Sequence, residues 1–177
     1  TVYDEPDSDQ WMAELSTECV SLPRVVEILA AAPLDEKIHQ QAWCTLDRRA
    51  NVPPASSYSD LKFGEFNRHY EFKKAALAAG VIEALVATLN QHVSSVRVVE
   101  SSLSTFIGLV CVGVVESGAR QVAQSLASAF KSAGGLEVLA HVLQAHTESP
   151  RTKALGDRIL SWESSGLYDD SGDSDDE

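Results

Sequence analysis

The stretch at residues 79–110, AGVIEALVATLNQHVSSVRVVESSLSTFIGLV, occurs three times in this chain. Residues 133–162, AGGLEVLAHVLQAHTESPRTKALGDRILSW, match it without a gap at an offset of 54. Residues 20–50, VSLPRVVEILAAAPLDEKIHQQAWCTLDRRA, match it without a gap at an offset of 60. Each copy reads as two apolar segments at helical spacing joined by a short loop. One helical hairpin cannot bury its own apolar face, so three in series must lean on one another. The recurrence predicts an all-α chain of about three stacked units.

Local signals place the elements. Asp9 can cap a short helix carrying Trp11, Met12 and Leu15. Pro23 suits the first turn of the next helix, whose buried face is Val25, Val26, Ile28 and Leu29. Pro33 and Asp35 break the chain before a helix over about 36–49, with Ile38, Ala42 and Leu46 four apart. Residues 51–60, NVPPASSYSD, read as a linker, and Asp60 can cap a helix over 61–79. Gly80 ends that helix, and Gly134–Gly135 end another over 117–132 with Val122, Leu126, Ala129 and Phe130 inward. Residues 106–115 are rich in β-branched side chains, and local propensity favours a strand there. The matching positions of the other copies read as helix, so a helix is expected. The chain divides into an acidic arm (1–9), a repeat domain (10–162, with units near 10–50, 61–112 and 117–162) and an acidic, disordered tail (163–177).

The net charge of −12 is concentrated at the ends. Residues 1–18 hold six acids and no base, and residues 163–177 hold seven acids and no base. The segment between has 13 acids against 14 bases, which argues against a nucleic-acid partner. No apolar run reaches the roughly 18–20 residues of a membrane span, and the acidic N-terminal residues do not resemble a secretory leader. The three cysteines, Cys19, Cys44 and Cys111, lack metal or disulfide spacing and suit the cytoplasm or another reducing compartment, an organelle interior included. No nucleophile–base pair and no phosphate-cradling glycine loop is present, so neither catalysis, a cofactor nor a small-molecule substrate is expected. His92 and His146 recur just after equivalent helices, where a C-terminal cap explains them better than a metal.

The motif A-G-x-[IL]-E-x-L, carried by Ala79, Gly80, Ile82, Glu83 and Leu85 and again by Ala133, Gly134, Leu136, Glu137 and Leu139, resembles the armadillo repeat family. The resemblance covers about residues 10–162. It implies a right-handed α-solenoid whose first helices begin near Gln10, Leu61 and Gly118 and whose third helices line a peptide-binding groove. The family's clamping Trp falls at Trp43, Leu103 and Asp157, and its Asn at Arg48, Gly108 and Trp162. Only Trp43 keeps that pattern, so recognition of nuclear-import peptides is not carried over.

The expected activity is therefore protein binding, as a scaffold or structural subunit of a multi-subunit complex. Candidate contact residues are Trp43, Asp47, Arg48, Arg49, Leu103, Arg158, Trp162, Leu167 and Tyr168. Ser174, directly before three acids, suits an acid-directed protein kinase. The competing expectation is a regulatory or chaperone-like adaptor whose acidic tails engage basic client proteins.

Overall fold

The computed structural model describes residues 8–17, 19–51, 63–111 and 117–164; the side chains of 63–68, 117, 163 and 164 are outside that description. Among the described residues there are nine helices and no strand: α1 (Ser8–Leu15), α2 (Leu22–Ala31), α3 (Glu36–Ala50), α4 (Phe63–Ala78), α5 (Val81–Gln91), α6 (Val96–Val110), α7 (Ser117–Ser132), α8 (Gly135–Ala145) and α9 (Pro150–Ser164). Residues 1–7 of the arm, residues 52–60 of the linker with Asp60, residues 112–116, and Leu167, Tyr168 and Ser174 lie outside the described residues; Ser8 and Asp9 belong to α1, so Asp9 sits in its first turn and does not precede it as a cap.

The matched copies begin their helices in the same way. Asp35 caps α3, accepting the amides of Lys37 and Ile38 at 3.0 and 3.1 Å. Ser95, 60 positions on, accepts the Val98 amide at 3.4 Å, and Ser149, 54 further, accepts the Thr152 amide at 3.2 Å. In each case a side-chain oxygen satisfies an amide that the first turn leaves unpaired. Ser21 caps α2 in the same manner, with Pro23 in the first turn.

Gly80 and Gly134 join consecutive helices at φ +73° and +81°. A single left-handed residue reverses the chain there, which glycine does without steric cost. The first copy has Val20 at the matching position. Its preceding helix ends at Leu15, several residues earlier, so no left-handed residue is needed.

The contested stretch is helical as far as described. Phe106, Ile107, Leu109 and Val110 all lie on α6 and are at most 5% exposed. Burial on several sides outweighs the β-branched preference, which amounts to only about 1 kcal/mol across the residue types.

The helices pack in rows. α2 lies on α5 and α5 on α8; α3 lies on α6 and α6 on α9; α4 lies on α7. Trp43, Phe106 and Phe130 are the bulkiest fully buried side chains, and the rings of Phe106 and Phe130 stack with centroids 4.3 Å apart. Gly108 lets α3 and α6 close up: a Cβ there would meet Asn51 Oδ1 at 2.7 Å and Ala50 Cβ at 3.0 Å. The buried Lys73 of α4 donates to the Cys111 carbonyl at the end of α6, where the helix dipole favours a cation.

α1 differs from the sequence expectation. It packs on α3, continuing the row α3–α6–α9, and does not take the place that α4 and α7 occupy in the later units. The Thr45 hydroxyl donates to the Leu15 carbonyl of α1 at 2.7 Å, and Thr105, its equivalent 60 positions on, donates to the Trp43 carbonyl of α3 at 3.0 Å. Trp11 and Leu15 supply the apolar surface of that seat.

Candidate functional site

The seams between units are built from buried side chains, and the residues they use are withdrawn from the surface. Trp43 and Leu103 are both 0% exposed. These two positions therefore leave the set of contact residues: at equivalent places on α3 and α6, both point into the core. The indole N–H of Trp43 has no acceptor among the described residues. Arg49 is also committed inward. Its guanidinium donates to the Val20 carbonyl at 2.7 Å and lies 4.8 Å from the Phe72 ring centroid. Arg49 thus ties the start of one hairpin to α3 and α4.

A polar seam runs between the first and second hairpins. His39, 1% exposed, donates through Nε2 to the Ala32 carbonyl at 3.1 Å and accepts the Thr88 hydroxyl at Nδ1 at 3.0 Å. These roles follow from its being neutral. Burial first, and the neighbouring His92 second, push its pKa down to about 4. The His39 and His92 rings sit 4.4 Å apart. His92 Nε2 donates to the Pro33 carbonyl at 3.0 Å, and His146 Nε2 donates to the Val93 carbonyl at 2.6 Å. Pro33 and Val93 are themselves equivalent, so the same stitch is used at both junctions. The backbones of both histidines end their own helices, as the sequence suggested, while the rings reach back to the preceding unit.

One side of the row α3–α6–α9 carries polar groups on its surface. Arg48 is exposed, held by the Cys44 carbonyl and the Thr45 hydroxyl at 3.3 Å each. Asp47 is half-buried and accepts from Asn51 at 2.6 Å. Arg158 is exposed, lies 5.1 Å from the centroid of the half-buried Trp162 ring, and reaches the exposed Cys111 sulfur at 3.7 Å. The structure thus brings Arg158, Trp162 and Cys111 together at the C-terminal end of the row. Arg48 lies on α3, at the position equivalent to Trp162.

Three cations missed in the residue-by-residue reading are apparent once the copies are aligned. α3, α6 and α9 begin at equivalent positions, and the second residue of each is Lys37, Arg97 or Arg151. All three are exposed. Arg151 pairs with Glu100 at 3.5 Å, and Glu100 also accepts from the Ser149 and Thr152 hydroxyls at 3.0 and 3.4 Å, binding α9 to α6. Glu36 and Asp47 are likewise held by neighbours, Glu36 by the Ser95 hydroxyl at 2.7 Å. The opposite row, α2–α5–α8, carries Glu27, Glu83 and Glu137 against Arg24 alone. Arg24 is itself paired with Glu14 at 2.8 Å and Glu27 at 3.3 Å. The two rows therefore differ in sign at the surface.

A shallow groove of about 350 Å³ lies between the ends of α5 and α8, lined by Asn90, Val93, Val138, His141, Gln144 and Ala145. It brings no charged pair together. Among the described residues no group of three or more His, Cys, Asp or Glu side chains could hold a metal ion, and no helix is long and apolar enough to cross a membrane. No protein-family model, no curated protein and no solved structure matches this chain.

Proposed function

We propose that this chain is a non-catalytic protein-binding scaffold: an armadillo-like right-handed solenoid of three units that docks another protein on the surface of α3, α6 and α9 within a larger assembly. The observation that supports it most is the division of labour along that row. Thr105 on one side and His92 and His146 on the other hold successive units together, and Thr45 seats α1 on α3 as Thr105 seats α6 on α3. Arg48, Arg97 and Arg158 are exposed beside those seams. Exposed arginines on a packed helical surface suit a protein partner, since arginine is enriched at such interfaces.

A site-specific photo-crosslinker tests this reading. Placed at Arg48 or Arg158, it should capture the protein that co-purifies with the chain; placed at Glu137 on α8, it should not. Capture from Glu137 alone would overturn the assignment of the surface.

The competing reading is an adaptor whose acidic segments bind basic clients. The seven acids and absence of bases in residues 163–177 favour it. Salt separates the two. Tail-driven binding should fade as the Debye length falls below about 8 Å, above physiological ionic strength, whereas docking on a packed helical surface should persist.

A further inference from the structure

We infer that the C-terminal segment of this chain, residues 165–177, is an intramolecular ligand of the α3–α6–α9 surface and competes there with the protein partner. This deepens the scaffold reading and rests on it. Three observations support the inference.

The first is charge. Residues 165–177 carry Asp169, Asp170, Asp173, Asp175, Asp176 and Glu177 and no base. The surface of the row presents Lys37, Arg48, Arg97, Arg151 and Arg158, all exposed, with Arg151 also paired to Glu100. Its described acids, Glu36, Asp47 and Glu100, are fewer, and all three already accept hydrogen bonds from neighbours. The opposite row has an acidic excess and would repel the same segment.

The second is reach. α9 ends at Ser164, just beyond Arg158 and Trp162. The stripe of Lys37, Arg97 and Arg151 lies at the other end of these helices, about 20 Å back along α9 at 1.5 Å per residue. With neighbouring helices about 10 Å apart, Lys37 on α3 is about 30 Å from the end of α9. Residues 165–177 span about 43 Å when extended. Asp169, the first of the acids, is the fifth residue after Ser164, so the acids can reach from about 17 to about 43 Å beyond the end of α9, a range that includes the stripe.

The third is regularity. Lys37, Arg97 and Arg151 stand one per helix at matching positions, so they form a line across the row. A line of cations suits an extended acidic strand, whose successive carboxylates can each find a partner. Each exposed pair contributes little, so the segment is held by the sum and remains displaceable.

Carbodiimide coupling on the full chain tests this. The reagent activates a carboxylate as an O-acylisourea, a lysine amine in contact with it displaces the urea to form an amide, and mass spectrometry locates that amide. Links from residues 169–177 to Lys37 are expected, within one chain when light and heavy isotope-labelled copies are mixed. They should be lost at about 0.5 M salt, where the Debye length is about 4 Å. Arg97→Glu should reduce them severalfold with helicity unchanged. Links confined to Lys74 on α4 or Lys131 on α7, links only between copies, or no tail links at all would overturn the proposal. If the photo-crosslinkers at Arg48 and Arg158 still captured the partner in that event, the scaffold reading would survive without it. If the links form as expected while those crosslinkers capture nothing, the tail proposal stands and the partner assignment fails.

Discussion

The two ends of the row α1–α3–α6–α9 are finished differently. At the first end α1 lays Trp11 and Leu15, 7% and 0% exposed, against α3. At the other end nothing described covers the outer side of α9. The positions matching Val99 and Leu103, both fully buried on α6, are Lys153 and Asp157 on α9, and both are exposed. Leu160 matches Phe106, yet it is 41% exposed where Phe106 is 2%. A helix side that no described helix covers has to tolerate water. One end is covered by an added apolar helix, while the other is made wettable by exchanging apolar side chains for charged ones. Stability should therefore respond strongly to changes at the first end and weakly at the second.

Leu15→Ala is the strongest challenge to that contrast. The side chain is fully buried between α1 and α3. Its truncation should cost about 2–5 kcal/mol in urea unfolding. A loss below about 1 kcal/mol would mean that α1 is a loose attachment and the first end is not sealed.

Acid is the next. The His39 pKa is depressed to about 4 in the folded chain, against an ordinary 6.5. Between these values the unfolded chain binds the proton more readily. The stabilisation is therefore complete above pH 6.5 and is lost as pH falls towards 4, by on the order of 3 kcal/mol. His39→Gln should flatten this part of the pH profile. Val99, the equivalent on α6, does not titrate, so amide protection factors, corrected for the intrinsic rate at each pH, should fall in α3 and α5 on acidification before they fall in α8 and α9. An equal fall in both halves would refute the assignment.

Smaller effects sharpen the comparison. Thr105→Val and Thr45→Val each remove one cross-helix hydrogen bond while keeping the shape, and each should cost about 1 kcal/mol. Similar losses would indicate that α1 is seated on α3 as α3 is seated on α6. Leu160→Ala, at the exposed end, should change the unfolding free energy by no more than about 0.5 kcal/mol. A larger loss would mean that something covers the outer side of α9.

Much of the architecture was legible because it repeats. The offsets of 60 and 54 aligned Asp35, Ser95 and Ser149, and all three cap helices. They aligned Gly80 with Gly134, and both adopt the left-handed turn. The same alignment pointed past a local preference: residues 106–110 are expected to be helical from their counterparts, and burial on several sides holds them so. The candidate surface was less legible. Trp43 has the residue type of a binding platform, yet it is buried at the α3–α6 seam, and sequence cannot tell an aromatic that offers its face to a partner from one that fills the core. Arg49 and Arg48 are adjacent, yet one is tied to Val20 and Phe72 while the other faces water. The 100° turn between neighbouring residues on a helix separates them.

The sequence alone determined the helices, the two glycine turns between them and their order. These depend on residues within a turn or two of one another and on a period that can be read directly. Tertiary structure decided that α1 seats on α3, that Trp43 and Leu103 are core, and that Lys37, Arg97 and Arg151 line one edge. Those outcomes depend on which helix lies alongside, and that neighbour is chosen by burial and hydrogen bonds between groups tens of residues apart.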